Sequence, residues 1–243
     1  MQDTVKFDKG NIKMIAHRGL SGIETENTAL SFVAAGNRSY FGIETDVHAT
    51  SDGKLVIIHD DSTARISNEN LNVEKTPLNV LQDIKLKDRE DGAERNDIRL
   101  IELDDYIKIC KRYGKVSVLE IKNPFEKARL IDVVDTINKR DYMKNVIFIS
   151  FYIENLLTLR TLTPKDTKFQ FLCGELPDET ISLLIANNID VDIHYPTLLL
   201  HPEYMKKFKE GGLSVNAWTC DNIGDAEKLK ALGVDYITSN ILE

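Results

Sequence analysis

Four short apolar segments of this sequence end in side chains that could bind a cation and transfer protons. The side chains are two imidazoles, three carboxylates, a guanidinium and an amine, in the order His17, Arg18, Glu44, Asp46, His59, Glu120 and Lys122. In proteins built from alternating strands and helices, active sites lie at the carboxyl ends of the strands. We therefore interpret these four strand ends as one site rather than as packing.

The spacing of the acidic residues favours a metal site. Glu44 and Asp46 are two residues apart in an extended segment, so both side chains point to one face of the strand. Three carboxylates that meet at a barrel mouth repel one another unless a cation neutralises them, and Mg²⁺ and Ca²⁺ prefer oxygen ligands. We therefore predict a divalent metal, Mg²⁺ or Ca²⁺, on Glu44, Asp46 and Glu120. The alternative is that Arg18 and Lys122 pair with these acids as structural salt bridges.

Two histidines are placed to transfer protons beside these acids. With ordinary pKa values near ~6.5, His17 and His59 can provide one neutral and one protonated imidazole, the pair that acid–base hydrolysis requires. Arg18 offers a planar fork for two phosphoryl oxygens, and Lys122 offers a point charge. No glycine-rich phosphate loop, Ser-His-Asp order or Cys-X-X-Cys motif indicates another chemistry.

Short segments rich in β-branched residues alternate with longer amphipathic segments, which predicts parallel strands covered by helices. The predicted strands are 12–16, 42–47, 54–59, 115–121, 145–150, 167–172, 189–193, 213–218 and 234–238. The predicted helices are 27–37, 101–113, 125–139, 152–162, 177–188, 201–211 and 222–232. This order is typical of an α/β barrel, and periodicity alone leaves an open doubly wound sheet possible.

The strand at 54–59 breaks the parallel order. It follows 42–47 too closely for a parallel crossover, and Asp52-Gly53 is a strong hairpin signal, so we predict an antiparallel return. Folding about that turn places residues whose numbers sum to about 105 opposite one another, and thus His59 opposite Asp46. The other strands make up the eight parallel strands of a TIM (β/α)₈ barrel.

Residues 62–100 form an insertion after this hairpin. The segment is strongly charged between Lys85 and Asp97 and shows no regular turn-to-helix pattern. Long irregular segments of this kind are usually functional or mobile. We predict either a solvated insertion or a small cap over one side of the barrel mouth, more mobile than the barrel, within a single domain of residues 1–243.

Composition excludes several classes of function. A net charge of -8 argues against nucleic acid or an anionic membrane as the main partner, because both bind basic surfaces. No apolar segment reaches the ~18 residues of a membrane span, so we expect no integral membrane association. The widely spaced Cys110, Cys173 and Cys220 predict free thiols in a reducing compartment. Since the N-terminal segment is also unlike a signal peptide, we expect a cytoplasmic protein.

The combination of motifs resembles the glycerophosphodiester phosphodiesterase family. The resemblance covers nearly the whole chain and rests on His17-Arg18-Gly19, Glu26-Asn27-Thr28, Glu44-Thr45-Asp46, Ile58-His59-Asp60, Glu120-Ile121-Lys122, Ala217-Trp218-Thr219 and Asp235-Tyr236-Ile237-Thr238. It implies a TIM barrel of the phospholipase C-like type with a small cap at 62–100. It also implies a divalent metal on Glu44, Asp46 and Glu120, an acid–base pair at His17 and His59, and phosphate contacts from Arg18 and Lys122.

Two segments depart from the family pattern. Thr25 stands where the family usually has proline before Glu-Asn-Thr. The last strand ends in Thr238-Ser239-Asn240, where the family usually has Thr-Asp followed soon by proline. Neither departure touches the proposed metal or acid–base groups. The second removes a carboxylate near the barrel mouth, so it bears on substrate detail more than on reaction class.

Aromatic and histidine side chains near other strand ends are further candidates. Trp218, the one tryptophan of the chain, could pack on glycerol or on the leaving alcohol, or simply within the barrel. Phe151 and His194 could also contact the substrate. His48 follows the acidic strand into the hairpin, where we expect it to be solvated or to support the site from outside.

The residues and the resemblance together predict a metal-dependent phosphodiesterase. Its small-molecule substrates would be glycerophosphodiesters, hydrolysed to glycerol 3-phosphate and an alcohol. One alternative is a lysophospholipase D, or another lipid head-group phosphodiesterase, that uses the same barrel. A second alternative is a catalytically silent barrel that binds a phosphorylated metabolite. Loss of His17 or His59 would favour the silent barrel, whereas both histidines are present.

Overall fold

The computed structural model describes residues 3–88 and 92–243. Its strands are β1 (Lys13–Ala16), β2 (Gly42–Ala49), β3 (Leu55–Ile57), β4 (Leu86–Lys87), β5 (Glu94–Arg95), β6 (Val116–Ile121), β7 (Val146–Ser150), β8 (Lys168–Cys173), β9 (Asp190–His194), β10 (Val215–Trp218) and β11 (Tyr236–Ser239). Its helices are α1 (Ala29–Gly36), α2 (Leu78–Asp83), α3 (Leu103–Tyr113), α4 (Lys127–Asn138), α5 (Ile153–Leu162), α6 (Asp178–Asn187), α7 (Tyr195–Leu200), α8 (Tyr204–Glu210) and α9 (Ile223–Leu232). Short 3₁₀ turns span Val73–Lys75 and Met143–Asn145.

A closed parallel barrel forms the centre of the protein. Its strands follow the order β1-β2-β6-β7-β8-β9-β10-β11, and the ring closes because β1 pairs with both β2 and β11. Apolar strand residues such as Ile15, Ile147 and Leu172 cluster inside the barrel, while a larger core joins the strands to the surrounding helices. The predicted TIM barrel is confirmed, and parallel strands of this kind bring their carboxyl ends to one mouth.

The predicted hairpin is present, but its register differs by one residue. β3 runs antiparallel to β2 with Val47 opposite Ile57, and the Ile58 amide donates to the Asp46 carbonyl at 3.1 Å. The expectation that His59 lies opposite Asp46 was therefore wrong. The reason is the turn: Thr50 pairs with Lys54 around three residues rather than two, and Gly53 takes a φ of +74°.

The insertion is more ordered than its charge pattern predicts. Within residues 62–100 the structure describes one 3₁₀ turn, helix α2 and the antiparallel pair of β4 and β5. They enclose a small apolar cluster to which the hairpin contributes Val56 and Ile58, alongside Leu78, Leu81 and Leu86. The expectation of a segment without regular elements was wrong, because frequent charges obscured the apolar spacing. Part of the predicted charged stretch, residues 89–91, lies outside the described residues.

Most predicted helices are present with shifted ends, and two helices, α2 in the insertion and α7, were missed. The helix predicted at 201–211 is α8, and the separate α7 precedes it. Helix α7 has only six residues and carries proline in its first turn, so it is too short for an amphipathic period to show. The three cysteines are free, as expected, and all three are buried. Across the described residues, no helix has both the length and the hydrophobicity to span a bilayer.

Candidate active site

The three carboxylates predicted to bind metal lie together at the barrel mouth. Asp46 of β2 is paired in register with Glu120 of β6, and Glu44 lies two residues earlier on the same face of β2. Ligand oxygens of the three side chains all lie within 4.8 Å of one another, and all three residues are buried. The sequence spacing therefore identified a real cluster.

Burial and mutual repulsion strongly perturb this acidic triad. Burial and the neighbouring carboxylates raise the pKa of Glu44 well above its ordinary value. Burial and Asp46 raise the pKa of Glu120 to about 8. Burial also acts on Asp46, but Arg18 and Lys122 outweigh it and hold the pKa of Asp46 below its usual range. The two basic residues therefore keep Asp46 ionised but do not neutralise all three carboxylates, so Glu44 and Glu120 retain protons near neutral pH in the metal-free protein.

The donor set fits a divalent cation. Lys122 Nζ lies 3.5 Å from Asp46 Oδ1, and Arg18 Nε lies 3.6 Å from Asp46 Oδ2, so the salt bridges considered as the alternative do form. They leave two features unexplained. Asp46 Oδ1 is buried without a hydrogen-bond donor, and no lysine or arginine side chain of the described residues pairs with Glu44. Hard cations such as Mg²⁺ and Ca²⁺ suit an oxygen cluster of this kind.

Asn27 holds Asp46 in place. Its side-chain amide donates to Asp46 Oδ2 at 2.7 Å and accepts from the Thr45 hydroxyl at 2.7 Å. Asn27 has a positive φ of 56°, a conformation that asparagine tolerates better than most residues. Asn27 belongs to the Glu26-Asn27-Thr28 motif, and its sequence position alone did not predict this role. Outer partners of this kind fix the orientation of metal-binding carboxylates.

The surroundings of His17 define its tautomer. Asn240 donates through Nδ2 to Asp221 Oδ2 at 2.7 Å, so its Oδ1 is the acceptor that lies 2.8 Å from His17 Nδ1. His17 Nδ1 therefore carries the proton, and the unprotonated Nε2 faces Glu44 Oε2 at 4.0 Å. Burial and the Arg18 charge lower the pKa of His17 to about 4. His17 is thus a neutral imidazole with its basic nitrogen toward the acidic triad.

His59 has a different partner. Its Nδ1 lies 2.6 Å from Asp60 Oδ1, and a carboxylate in this position favours the protonated imidazole. Burial nevertheless lowers the pKa of His59 below its ordinary value. His48 is fully buried, and its Nε2 donates to the His59 carbonyl at 3.3 Å. The expectation that His48 is solvated was therefore wrong. Its contact with the His59 carbonyl agrees with the other expectation, that His48 supports the site from outside.

A chain of alternating charges connects Asp60 with the acidic triad. Arg65 donates to Asp60 Oδ2 at 2.7 Å and through two nitrogens to Glu26, each at 2.8 Å. Glu26 in turn accepts from Arg18 at 3.0 Å, and Arg18 reaches Asp46. Arg65 belongs to the insertion. The insertion therefore contacts Asp60, which is bonded to His59, and Glu26, which is bonded to Arg18.

The site opens into a cavity of about 480 Å³. Its lining includes every residue proposed for the site except Asp46, together with Phe151 and Asp192. Trp218 lines the cavity, donates to the Asp192 carbonyl at 3.0 Å and packs edge-on against Phe151. The His194 ring packs at a tilted angle against Trp218, and His194 is outside the cavity lining. A small ligand can therefore reach from the acidic triad to an aromatic wall.

Comparison with known proteins identifies the family. Residues 17–242 match the model of the Glycerophosphoryl diester phosphodiesterase family. The chain belongs to this family. It is 27% identical over 235 residues to a glycerophosphodiester phosphodiesterase from Caldanaerobacter subterraneus subsp. tengcongensis, which covers 93% of each chain. The resemblance inferred from the motifs is thus confirmed, and the protein is a phosphodiesterase.

Solved structures agree with the fold. A glycerophosphodiester phosphodiesterase from Parabacteroides distasonis is 28% identical, with a TM-score of 0.79 over 95% of this chain and 93% of that chain. A phosphodiesterase from Oleispira antarctica, solved in complex with the product sn-glycerol-3-phosphate, is 24% identical, with a TM-score of 0.82 over 94% of this chain and 93% of that chain. Both comparisons support the barrel described above.

In this family member, the two departures from the motif pattern have structural explanations. The Thr25 hydroxyl donates to the Lys87 carbonyl of the insertion at 2.9 Å. At the end of β11, Asp221 accepts hydrogen bonds from the Ser239 hydroxyl at 2.8 Å and from the Asn240 amide group at 2.7 Å, and so holds Asn240 against His17. Sequence reasoning missed Asp221 and Arg65, because neither lies in a motif assigned a role.

We expect Gly19→Ala to destabilise the protein more than Gly233→Ala does. Both glycines have positive φ, 77° and 82°, a conformation that costs an L-residue about 1–2 kcal/mol. At Gly19 a Cβ would also lie 2.7 Å from the Ser31 backbone carbon, whereas Gly233 has open space. Overpacking adds about 1–3 kcal/mol. Urea unfolding of both variants measures the difference, and equal losses would contradict the contact at Gly19.

Proposed function

We propose that this phosphodiesterase hydrolyses glycerophosphodiesters to glycerol 3-phosphate and an alcohol, with Mg²⁺ or Ca²⁺ on Glu44, Asp46 and Glu120. The observation that carries the proposal is the pair of unlike imidazoles at one acidic triad. His17 presents a basic nitrogen, and His59 is held by a carboxylate. Family membership supports the same reaction class.

Each residue has a role that follows from its position. A divalent cation held by Glu44, Asp46 and Glu120 would supply Lewis-acid charge to the phosphoryl oxygens. Arg18 and Lys122 add positive charge beside the same oxygens and offset the charge that develops in the transition state. His17 Nε2 accepts the proton of the attacking water as the new P–O bond forms. His59 donates a proton to the alcohol oxygen as the other P–O bond breaks.

The insertion contributes to the same mechanism as a cap at one side of the mouth. Arg65 and the Lys87 carbonyl reach residues that follow β1, which supports this position. Arg65 keeps Asp60 ionised beside His59, because its guanidinium donates to that carboxylate. The greater mobility expected for the insertion stays a prediction that hydrogen exchange can measure.

We expect wild-type protein with Mg²⁺ or Ca²⁺ to release glycerol 3-phosphate from glycerophosphocholine, glycerophosphoethanolamine and glycerophosphoglycerol. An enzyme-coupled assay for glycerol 3-phosphate measures the release, and lysophospholipids form the second arm. Faster hydrolysis of lysophospholipids would instead support the lysophospholipase D alternative. Binding without turnover in every arm would support the silent barrel. Full activity after exhaustive chelation would contradict the metal.

A further inference from the structure

One carboxyl group in the cavity has no role in the proposed mechanism. Asp192 of β9 is only 1% exposed and lines the same cavity as His17 and Glu120. Its Oδ1 is buried and has no hydrogen-bond partner among the described residues. Nearly all buried polar atoms of native proteins are hydrogen-bonded, so an unpaired carboxyl oxygen inside a binding cavity indicates a missing partner.

Asp192 is separate from the acidic triad. In the barrel order, β9 lies four strands from β2 in either direction, so Asp192 is across the cavity from Glu44 and Asp46. Its oxygens do not belong to the cluster that could hold a metal in the described part of the chain. A shared cation therefore does not explain the buried carboxyl group.

The side chains beside Asp192 on the next strand are polar and uncharged. It pairs in register with Asn216 of β10, whose side chain donates to Gln170 at 3.4 Å and accepts from Thr238 at 3.2 Å. None of the ion pairs in the described residues includes Asp192. Burial and the charge of Glu120 raise the pKa of Asp192 well above its ordinary value. The unpaired Oδ1 of Asp192 can accept a hydrogen bond from a hydroxyl group of a ligand in the cavity.

The depth of Asp192 indicates which part of the substrate it meets. Asp192 lies two residues before His194, where β9 ends. The Trp218 indole donates a hydrogen bond to the Asp192 carbonyl, so the Asp192 side chain is one layer below the aromatic rim. Phe151 at that rim is 43% exposed. The open rim can accommodate alcohols of different size, whereas the closed floor suits a small group common to all substrates.

We propose that Asp192 is a specificity-determining residue that hydrogen-bonds a hydroxyl group of the glycerol moiety. This inference rests on the proposed function. A site built to hydrogen-bond a hydroxyl rejects analogues that lack it, because its own polar group is then left unpaired. The enzyme should therefore distinguish glycerophosphoethanolamine from propylphosphoethanolamine, which has the same diester without the glycerol hydroxyls.

The test compares kcat/KM for these two substrates in wild type, Asp192→Leu and Asp192→Ala, with Mg²⁺ or Ca²⁺ present. We expect the ratio of glycerol to propyl substrate to fall by about 10–100-fold in both variants, the usual worth of one hydrogen bond to a buried carboxyl group. Asp192→Asn keeps a hydrogen-bonding side chain and should retain part of the ratio. Equal losses on both substrates, or an unchanged ratio, would overturn the inference.

Asp190→Asn is the matched control. Asp190 lies on the same strand and the same face, but it accepts from the Ser214 amide at 2.8 Å and is outside the cavity lining. Its substitution should leave the substrate ratio as in wild type. Calorimetric binding of sn-glycerol 3-phosphate and propyl phosphate provides a readout without turnover. If wild type hydrolyses no diester, the proposed function fails, while a preference for glycerol 3-phosphate that Asp192→Leu abolishes would still support the role of Asp192.

Discussion

Replacement of His17 or His59 by alanine is expected to lower kcat/KM by about 10²–10⁴-fold, the usual worth of a positioned proton transfer. The double variant should lose little more than either single variant, because removal of one partner already interrupts the proton transfers. His201→Ala is the control, since His201 is an exposed residue beside α7. Steady-state kinetics on glycerophosphocholine measures all four proteins.

The pH profile should separate the two histidines. Because the pKa of His17 is lowered to about 4, the neutral base is available well below pH 6.5, and the acid limb of kcat/KM should lie on the acid side of an ordinary histidine. The alkaline limb should report loss of the His59 proton. Asp60→Asn should move that limb to lower pH, since the carboxylate that favours the imidazolium is removed. Near-normal turnover in His59→Ala, with inactive His48→Ala, would show that the wrong histidine was chosen.

Glu44→Gln and Glu120→Gln are each expected to reduce activity by about 10³-fold or more. A metal ion contributes several kcal/mol to stabilisation of the transition state, and each tenfold in rate corresponds to about 1.4 kcal/mol. Calorimetric titration with Mg²⁺ and with Ca²⁺ should show weakened binding in both variants. Glu210→Gln is the control, because Glu210 is an exposed residue of α8. Metal affinity as in wild type, together with low activity, would contradict the assignment of these ligands.

Metal binding should depend on pH in a defined direction. The raised pKa values of Glu44 and Glu120, the latter about 8, mean that the metal-free protein carries protons on this cluster near neutral pH. A cation must displace those protons, so affinity should rise from pH 6 to pH 8 and level off only when the pH is well above the pKa of Glu120. Titration in two buffers of different ionisation enthalpy measures the protons released. Affinity that stays constant across this range would contradict a buried, protonated triad.

Local spacing was enough to predict the acidic cluster, the antiparallel return of β3 and the alternation of strands and helices. Side chains two residues apart on a strand share a face, so Glu44 and Asp46 had to lie together once β2 was recognised. The return of β3 followed from a connection too short for a parallel crossover. These features depend on periodicity and chain length, which a sequence displays directly. Their places at strand ends also identified His17, His59, Arg18 and Lys122 as candidates, and the family motifs implied the same roles.

Tertiary structure decided how those residues are held. The register of β3 depends on whether Thr50 closes a turn of two or three residues, and Asp52-Gly53 is compatible with both. The contact of His17 with Asn240 joins residues 223 positions apart, and it exists only because β11 closes the barrel beside β1. Arg65 and Asp192 carry no local signal either. Arg65 matters because it forms salt bridges with Asp60 and Glu26, and Asp192 matters because one of its oxygens is unpaired in the cavity. Both features depend on the packing of segments that are distant in the sequence.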